Sequence, residues 1–232
     1  MSRRRFIAIS AAFGAAGFAP CRALGLEPHT FTWHGVALGA EASLTLQHHD
    51  EAQAKSAIAA CLAEVARLEA IFSLHLPDSA LVRLNRHGRL DDAPAGLRTL
   101  LAEALALAKH TNGAFDPTIQ PLRHLYARHF SAGEATQDGP SAAVIADTLT
   151  SIGWQKVSID RSRIELLAPG MAVTLNGIAQ GYITDRIGEL LKVRGFEHVL
   201  VNMGEQLALG PSWDGSAWHV GIADPAHPAR TI

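Results

Sequence analysis

Val173-Thr174-Leu175-Asn176-Gly177-Ile178-Ala179-Gln180-Gly181-Tyr182-Ile183-Thr184-Asp185-Arg186 is the stretch whose reading decides the fold. An apolar run gives way to Asn-Gly and then to helical spacing, which predicts a strand, a tight polar turn and a helix start. The first N–H groups of a helix have no partner within it. At such a turn they face outward, where an anion or the phosphates of a nucleotide can use them. An ordinary strand-to-helix connection is spelled the same way, so the stretch by itself leaves both readings open.

Working outward from it, the helix is expected over residues 178–194, stopped by Gly195, with a strand over 198–203 and a turn at Gly204-Glu205. Residues 218–222 read as one more strand. Before the opening stretch, 156–159 and 163–167 predict a hairpin turning at Asp160-Arg161-Ser162. Residues 142–153 predict a helix, and 132–141 a surface loop.

The first half of the chain is helix-rich. A strand is expected at 42–46, then a helix over 51–72 with Ile58, Leu62, Val65, Leu68 and Phe72 on one stripe. That spacing is a core stripe. Asp78-Ser79 offers a cap for a short helix through Leu84, closed by a turn at 85–88. A second long helix is expected from Pro94 to His110 on Leu97, Leu100, Leu101, Ala104 and Leu107, stopped by Asn112-Gly113. Just past that stop, Gly113-Ala114-Phe115-Asp116-Pro117-Thr118 presents a carboxylate and a hydroxyl from a loop stiffened by Pro117. Such a loop either faces a ligand or bonds its own backbone. Helices before Pro140 and strands after it predict an α+β fold, helices packed on an antiparallel or mixed sheet.

The chain has 232 residues, 48% hydrophobic and 18% charged, enough to bury a sizeable core. A formal net charge of −2 provides no basic field for nucleic acid, and that partner class is set aside. The basic opening Ser2-Arg3-Arg4-Arg5-Phe6-Ile7 and the short apolar run at 8–19 predict an export signal over residues 1–25 and a periplasmic mature protein. The opening resembles the twin-arginine signal, with a plain secretory signal as the alternative. Phe18-Ala19-Pro20-Cys21 matches a lipoprotein cleavage site poorly, so no lipid anchor at Cys21 is expected. Cys61 is expected as a buried free thiol on its helix. The phosphate-loop, dinucleotide-loop, His-Glu-x-x-His and Gly-x-Ser-x-Gly templates do not occur.

Phe72-Ser73, then Asp78-Ser79-Ala80-Leu81-Val82-Arg83-Leu84-Asn85, then residues 113–118, then Leu175 to Tyr182 with Asp185, together resemble the ApbE family, in its order and spacing. The resemblance covers nearly all of residues 31–232. It implies a T-fold-like α+β domain over 26–232 that acts as an FAD:protein FMN transferase. Such an enzyme cuts FAD and joins the FMN half, through its phosphate, to a threonine or serine of an acceptor flavoprotein. The export signal, Phe72-Ser73-Leu74 and Gln180 look most like the NosX-type member, which would make the acceptor a membrane-bound FMN-binding domain of a nitrous oxide reduction system.

Carried residue by residue, the resemblance implies that Leu38, His75, Ala114, Phe115, Asp116, Thr174 and Gln180 contact FAD. The carbonyl of Gly177 would bind Mg2+. Leu38 replaces a methionine, His75 an aromatic residue, Thr174 an aspartate, and Gln180 a charged residue. Two charged contacts thus become neutral, which motivates an alternative reading, an exported FAD carrier without transferase activity. A third is an assembly factor that binds no flavin. Family members continue past the equivalent of Ile232 through a Thr-Ser-Gly segment, a His…Asp-Pro segment and a final Asp and Thr that complete the metal site. The sequence is therefore expected to be C-terminally incomplete, with its catalytic groups beyond Ile232 and little activity on its own.

Overall fold

The computed structural model describes residues 27–131 and 138–221. The expected export signal, Cys21 and the last eleven residues lie outside them. The chain divides into two compact units, Met1–Ala63 with Thr184–Ile232, and Glu64–Ile183.

The first unit is built on a four-stranded antiparallel sheet of order β1-β2-β6-β7, with β1 (His29–Ala37), β2 (Ala40–His48), β6 (Val199–Asn202) and β7 (Gln206–Leu209). Its register puts Phe31 opposite Leu46 and Trp33 opposite Leu44, and β2 then sets Leu46 and Leu44 against Val199 and Val201. All six are buried. Alternation of period two therefore lines one face across three strands, and a slip of one residue would expose the whole row. The expected strand at 42–46 is the second half of a longer hairpin. Leu38 and Gly39 join its strands with φ of 49° and 82°, the two positive values that a tight hairpin turn of this hand requires.

Helix α1 (Glu51–Phe72) has the expected bounds. Ile58, Cys61, Val65, Leu68 and Phe72 are buried, and Leu62 is half-buried at the edge of the stripe. Cys61 is a free buried thiol, and burial pushes its pKa up to about 12, against a small lowering by Arg194.

The second unit holds the three-stranded antiparallel sheet β3-β5-β4, formed by β3 (Arg89–Leu90), β5 (Ile164–Leu166) and β4 (Val157–Ile159). The hairpin turn at Asp160 is as expected, the carboxylate Oδ1 accepting from the N–H groups of Ser162 and Arg163 at 3.0 and 2.8 Å. Around the sheet come α2 (Ala80–His87), α3 (Ala95–His110), α4 (Gln120–Ser131) and α5 (Ala142–Leu149). Ser79 caps α2 by accepting from Val82 N–H at 3.0 Å. That helix runs on through Asn85, where a turn was expected, and ends at Gly88. In α3 the stripe holds at Leu97, Leu100, Leu101 and Ala104, but Leu107 is 41% exposed and Ala108 is buried in its place. Helix α4 is not among the predicted elements, because it buries no residue and shows no core stripe. The helix expected over 142–153 ends at Leu149, and a single 3₁₀ turn (Trp154–Lys156) follows.

Two strand expectations fail. Residues 171–175 take no regular secondary structure and pair with no strand, and residues 218–221 form no ladder, Trp218 donating its indole N–H to the Gly210 carbonyl at 3.0 Å instead. Ile222 lies outside the described residues. Helix α6 (Ala179–Val193) follows the opening stretch as predicted, and Gly195 ends it with φ of 82°. The architecture is α+β with antiparallel pairing throughout the described residues.

Candidate functional site

The second unit gathers three of the predicted segments. The loop after α1 is tied by two serines. Ser73 Oγ accepts from the N–H groups of His75 and Leu76 at 3.0 and 3.2 Å, and Ser79 Oγ donates to the Ser73 carbonyl at 2.6 Å. Both serines are buried, whereas His75 is exposed. The short polar side chains therefore satisfy a buried turn and leave the imidazole available to a ligand.

The second segment begins where α3 stops. Asp116 Oδ1 accepts from the backbone N–H and the hydroxyl of Thr118 at 2.8 and 2.6 Å, and its Oδ2 accepts from Trp154 N–H at 3.2 Å. Thr118 Oγ1 in turn accepts from Gly153 N–H at 2.8 Å. The reading in which Asp116 and Thr118 bond the loop's own backbone therefore holds, and it extends to residues 153–154. The carboxylate braces the loop, while Ala114 stays exposed at its tip and the Phe115 ring projects beside it.

That ring meets the third segment. A Cβ at Gly177 would lie 3.1 Å from Phe115 Cε2, so the Asn-Gly turn passes against the ring with room for a hydrogen and little more. Thr174 N–H donates to the Pro117 carbonyl at 2.8 Å. The side-chain amide of Asn85 reaches the same strand-like segment, Nδ2 donating to the Val173 carbonyl at 2.8 Å and Oδ1 accepting from Val173 N–H at 2.7 Å. These bonds stand in for the missing sheet ladder, which is why an apolar alternation here makes no strand. Thr174 is buried and its Oγ1 accepts from Asn176 N–H at 3.3 Å. Asn176 and Gly177 are exposed, and Gln180 is half-buried in the first turn of α6, which carries no acidic residue. The partial positive charge of a helix start there is unopposed by any carboxylate of its own turn.

Leu38 belongs to the other unit, on the β1–β2 turn. Its positive φ is set by that tight hairpin turn. An open cavity of about 790 Å3 in the second unit has walls that include Leu74, Asn85, Gln120, Arg128, Thr148 and Gly170. None of the predicted contact residues lines it.

Gly177 offers a hard carbonyl oxygen of the kind magnesium accepts. Among the described residues, however, no three His, Cys, Asp or Glu side chains gather to hold a metal. The sequence does not show Trp154 as part of the site, and Asn85 appears there only as a turn residue and the end of a motif. Asn85 had a legible signal, since asparagine disfavours helix interiors and persists there when its amide is used elsewhere.

The family model that matches is described as ApbE family and covers residues 38–232. The chain belongs to the ApbE family. Among curated ApbE relatives, the FAD:protein FMN transferase of Haemophilus influenzae is 27% identical over 166 residues, 68% of this chain and 47% of its own length. That of Klebsiella pneumoniae is 27% identical over 213 residues, 89% of this chain and 62% of its own. The chain thus spans about half to three-fifths of these relatives' length. Among solved structures, the flavinyl transferase ApbE of Pseudomonas stutzeri in its apo form matches with a TM-score of 0.73 and 27% identity, over 84% of this chain and 66% of that one. The flavin transferase ApbE of Vibrio cholerae matches with a TM-score of 0.74 and 23% identity, over 88% and 67%, a likeness of fold. The α+β architecture is thus that of ApbE proteins.

Proposed function

We propose that this ApbE chain binds FAD and takes part in transferring its FMN half to a serine or threonine hydroxyl of an acceptor flavoprotein. The observation that carries the reading is the meeting of two segments far apart in sequence: Phe115 lies against Gly177, and Pro117 accepts from Thr174 N–H. The names of the curated relatives support it. In this reading His75 stacks on the flavin, Ala114 and Phe115 wall the ligand, and Asp116 keeps their loop in shape. Thr174 and Gln180 complete the contacts within this unit. The start of α6, whose first turn carries no acidic residue, faces the pyrophosphate, where the positive end of the helix dipole offsets charge. The acceptor oxygen attacks the phosphorus next to the flavin and the bridging P–O bond to AMP breaks. AMP leaves, and the hydroxyl proton passes to solvent. Positioning and charge neutralisation supply most of the rate in such a transfer.

The finer reading makes the protein periplasmic, exported by the twin-arginine route, and serving a respiratory or denitrification complex whose acceptor is a membrane-bound FMN-binding domain of the NosX-dependent type. Residues 1–25, Phe72-Ser73-Leu74 and Gln180 support it. Fractionation of cells producing the full protein tests the compartment.

The central test mixes the protein with FAD, magnesium and a candidate acceptor domain. A mass gain of one FMN on the acceptor and release of AMP are expected. FAD bound intact with no AMP released establishes the carrier reading in its place, favoured by the uncharged Thr174 and Gln180, and absence of any flavin binding removes both.

A further inference from the structure

We infer that Asn85 is a positioning residue for the flavin site: its amide acts as a surrogate β-strand that holds residues 173–177 in a ligand-ready shape, without touching FAD itself. The inference rests on the proposed FAD binding and goes beyond it, since nothing in the carried-over contact set includes Asn85.

The geometry is specific. One side-chain amide engages both backbone groups of one residue, Nδ2 to the Val173 carbonyl at 2.8 Å and Oδ1 from Val173 N–H at 2.7 Å. This is the double bond pattern that a neighbouring strand provides. No strand is there to do it, as residues 171–175 pair with none. Val173 is fully buried, so without Asn85 its N–H and carbonyl would be left unpaired away from water. The next residue, Thr174, is held from the other side by the Pro117 carbonyl. The segment therefore hangs between α2 and the Asp116 loop, and the Asn-Gly turn that follows inherits its placement. Since Ser79 and Ser73 fix the start of α2 and the loop bearing His75, α2 ties the His75 loop and the Gly177 turn to one rigid element.

An Asn85→Asp variant makes the inference testable beyond mere folding. An ionised carboxylate can still accept from Val173 N–H, but it faces the Val173 carbonyl with no donor. A protonated carboxyl has one acceptor and one donor, like the amide it replaces. FAD affinity of Asn85→Asp relative to the native protein should therefore recover as pH falls and the carboxyl protonates. The other titratable groups near position 85, Arg86 and His87 on its own helix and His124, Arg128 and Asp147 across the cavity, are common to both proteins and cancel in the ratio.

The experiment measures FAD binding by flavin fluorescence for the full protein and for Asn85→Ala, Asn85→Asp and Asn85→Gln between pH 8 and 5, alongside amide hydrogen exchange of residues 173–177. Expected are a loss of affinity of about tenfold or more in Asn85→Ala, in line with unpairing buried backbone groups, and faster exchange at Val173 and Thr174. Asn85→Asp should lose affinity at pH 8 and regain most of it toward pH 5. Native binding with Asn85→Ala equal to it, or a pH-independent ratio for a folded Asn85→Asp, overturns the inference and leaves the FAD reading standing. No FAD binding by the native protein overturns the FAD reading and this inference with it.

Discussion

At the residue scale, Asp116 shows how one carboxylate is spent. Its two oxygens accept three hydrogen bonds, two from Thr118 and one from Trp154 N–H, and bonds to a charged acceptor are worth more than neutral ones. Asp116→Ala should lower stability by about 2–3 kcal/mol, because the buried Thr118 hydroxyl and the Trp154 amide lose their acceptor. Urea denaturation followed by circular dichroism measures this. A change under about 0.5 kcal/mol, the range of an ordinary surface substitution, would show that the brace is dispensable. Asn85 teaches the complementary lesson. By residue type it reads as a turn former, yet in the last turn of α2 its amide completes backbone pairing of a residue 88 positions away. A side chain that disfavours its own helix is retained because it satisfies someone else's backbone.

At the element scale, helical periodicity translated well wherever a stripe was long. Helix α1 follows its predicted bounds, and its buried face includes a cysteine. The Cys61 thiol holds its proton to about 12 in the fold, against an ordinary thiol value of 9.0. A group whose pKa is raised by folding adds stability in full below the unfolded pKa, and loses it as pH rises through the folded one. Between about pH 9 and 12 the unfolded thiol ionises while the folded one stays neutral, so stability should fall, by at most about 1.4 kcal/mol per pH unit. The Cys61→Ala variant should lack this component. Denaturant midpoints compared from pH 8 to 10.5 test it, and parallel curves for the two proteins would refute it. Helices α4 and α5 bury no residue. No apolar stripe marked α4, and α5 is shorter than its expected span of 142–153, starting after Ser141, whose Oγ accepts from Val144 N–H at 3.4 Å.

At the scale of the whole molecule, the composition bounds the partners, and the opening residues carry the proposed destination. On the export reading, changing both Arg3 and Arg4 to lysine should keep the protein in the cytoplasm, because the twin-arginine route requires the pair, whereas a plain secretory signal needs only positive charge. Immunoblots of cytoplasmic and periplasmic fractions decide, and unchanged export of the double variant would favour the plain signal. Much of the fold is legible without coordinates. The α1 and α3 stripes, the Ser79 cap, the Asp160 hairpin turn and the helix start after Gly177 all follow from interactions within a few residues, where spacing and side-chain chemistry act directly. The site was legible as separate motifs. What only tertiary structure decided is which of them meet and what each polar group does there. That residues 171–175 rest on Asn85 and Pro117 instead of on a strand, and that Phe115 lies against Gly177, depends on contacts across tens of residues of chain, which no local propensity specifies. The opening stretch thus announces a turn and a helix by itself, and meets Phe115 and Pro117 only because the packed chain brings them to it.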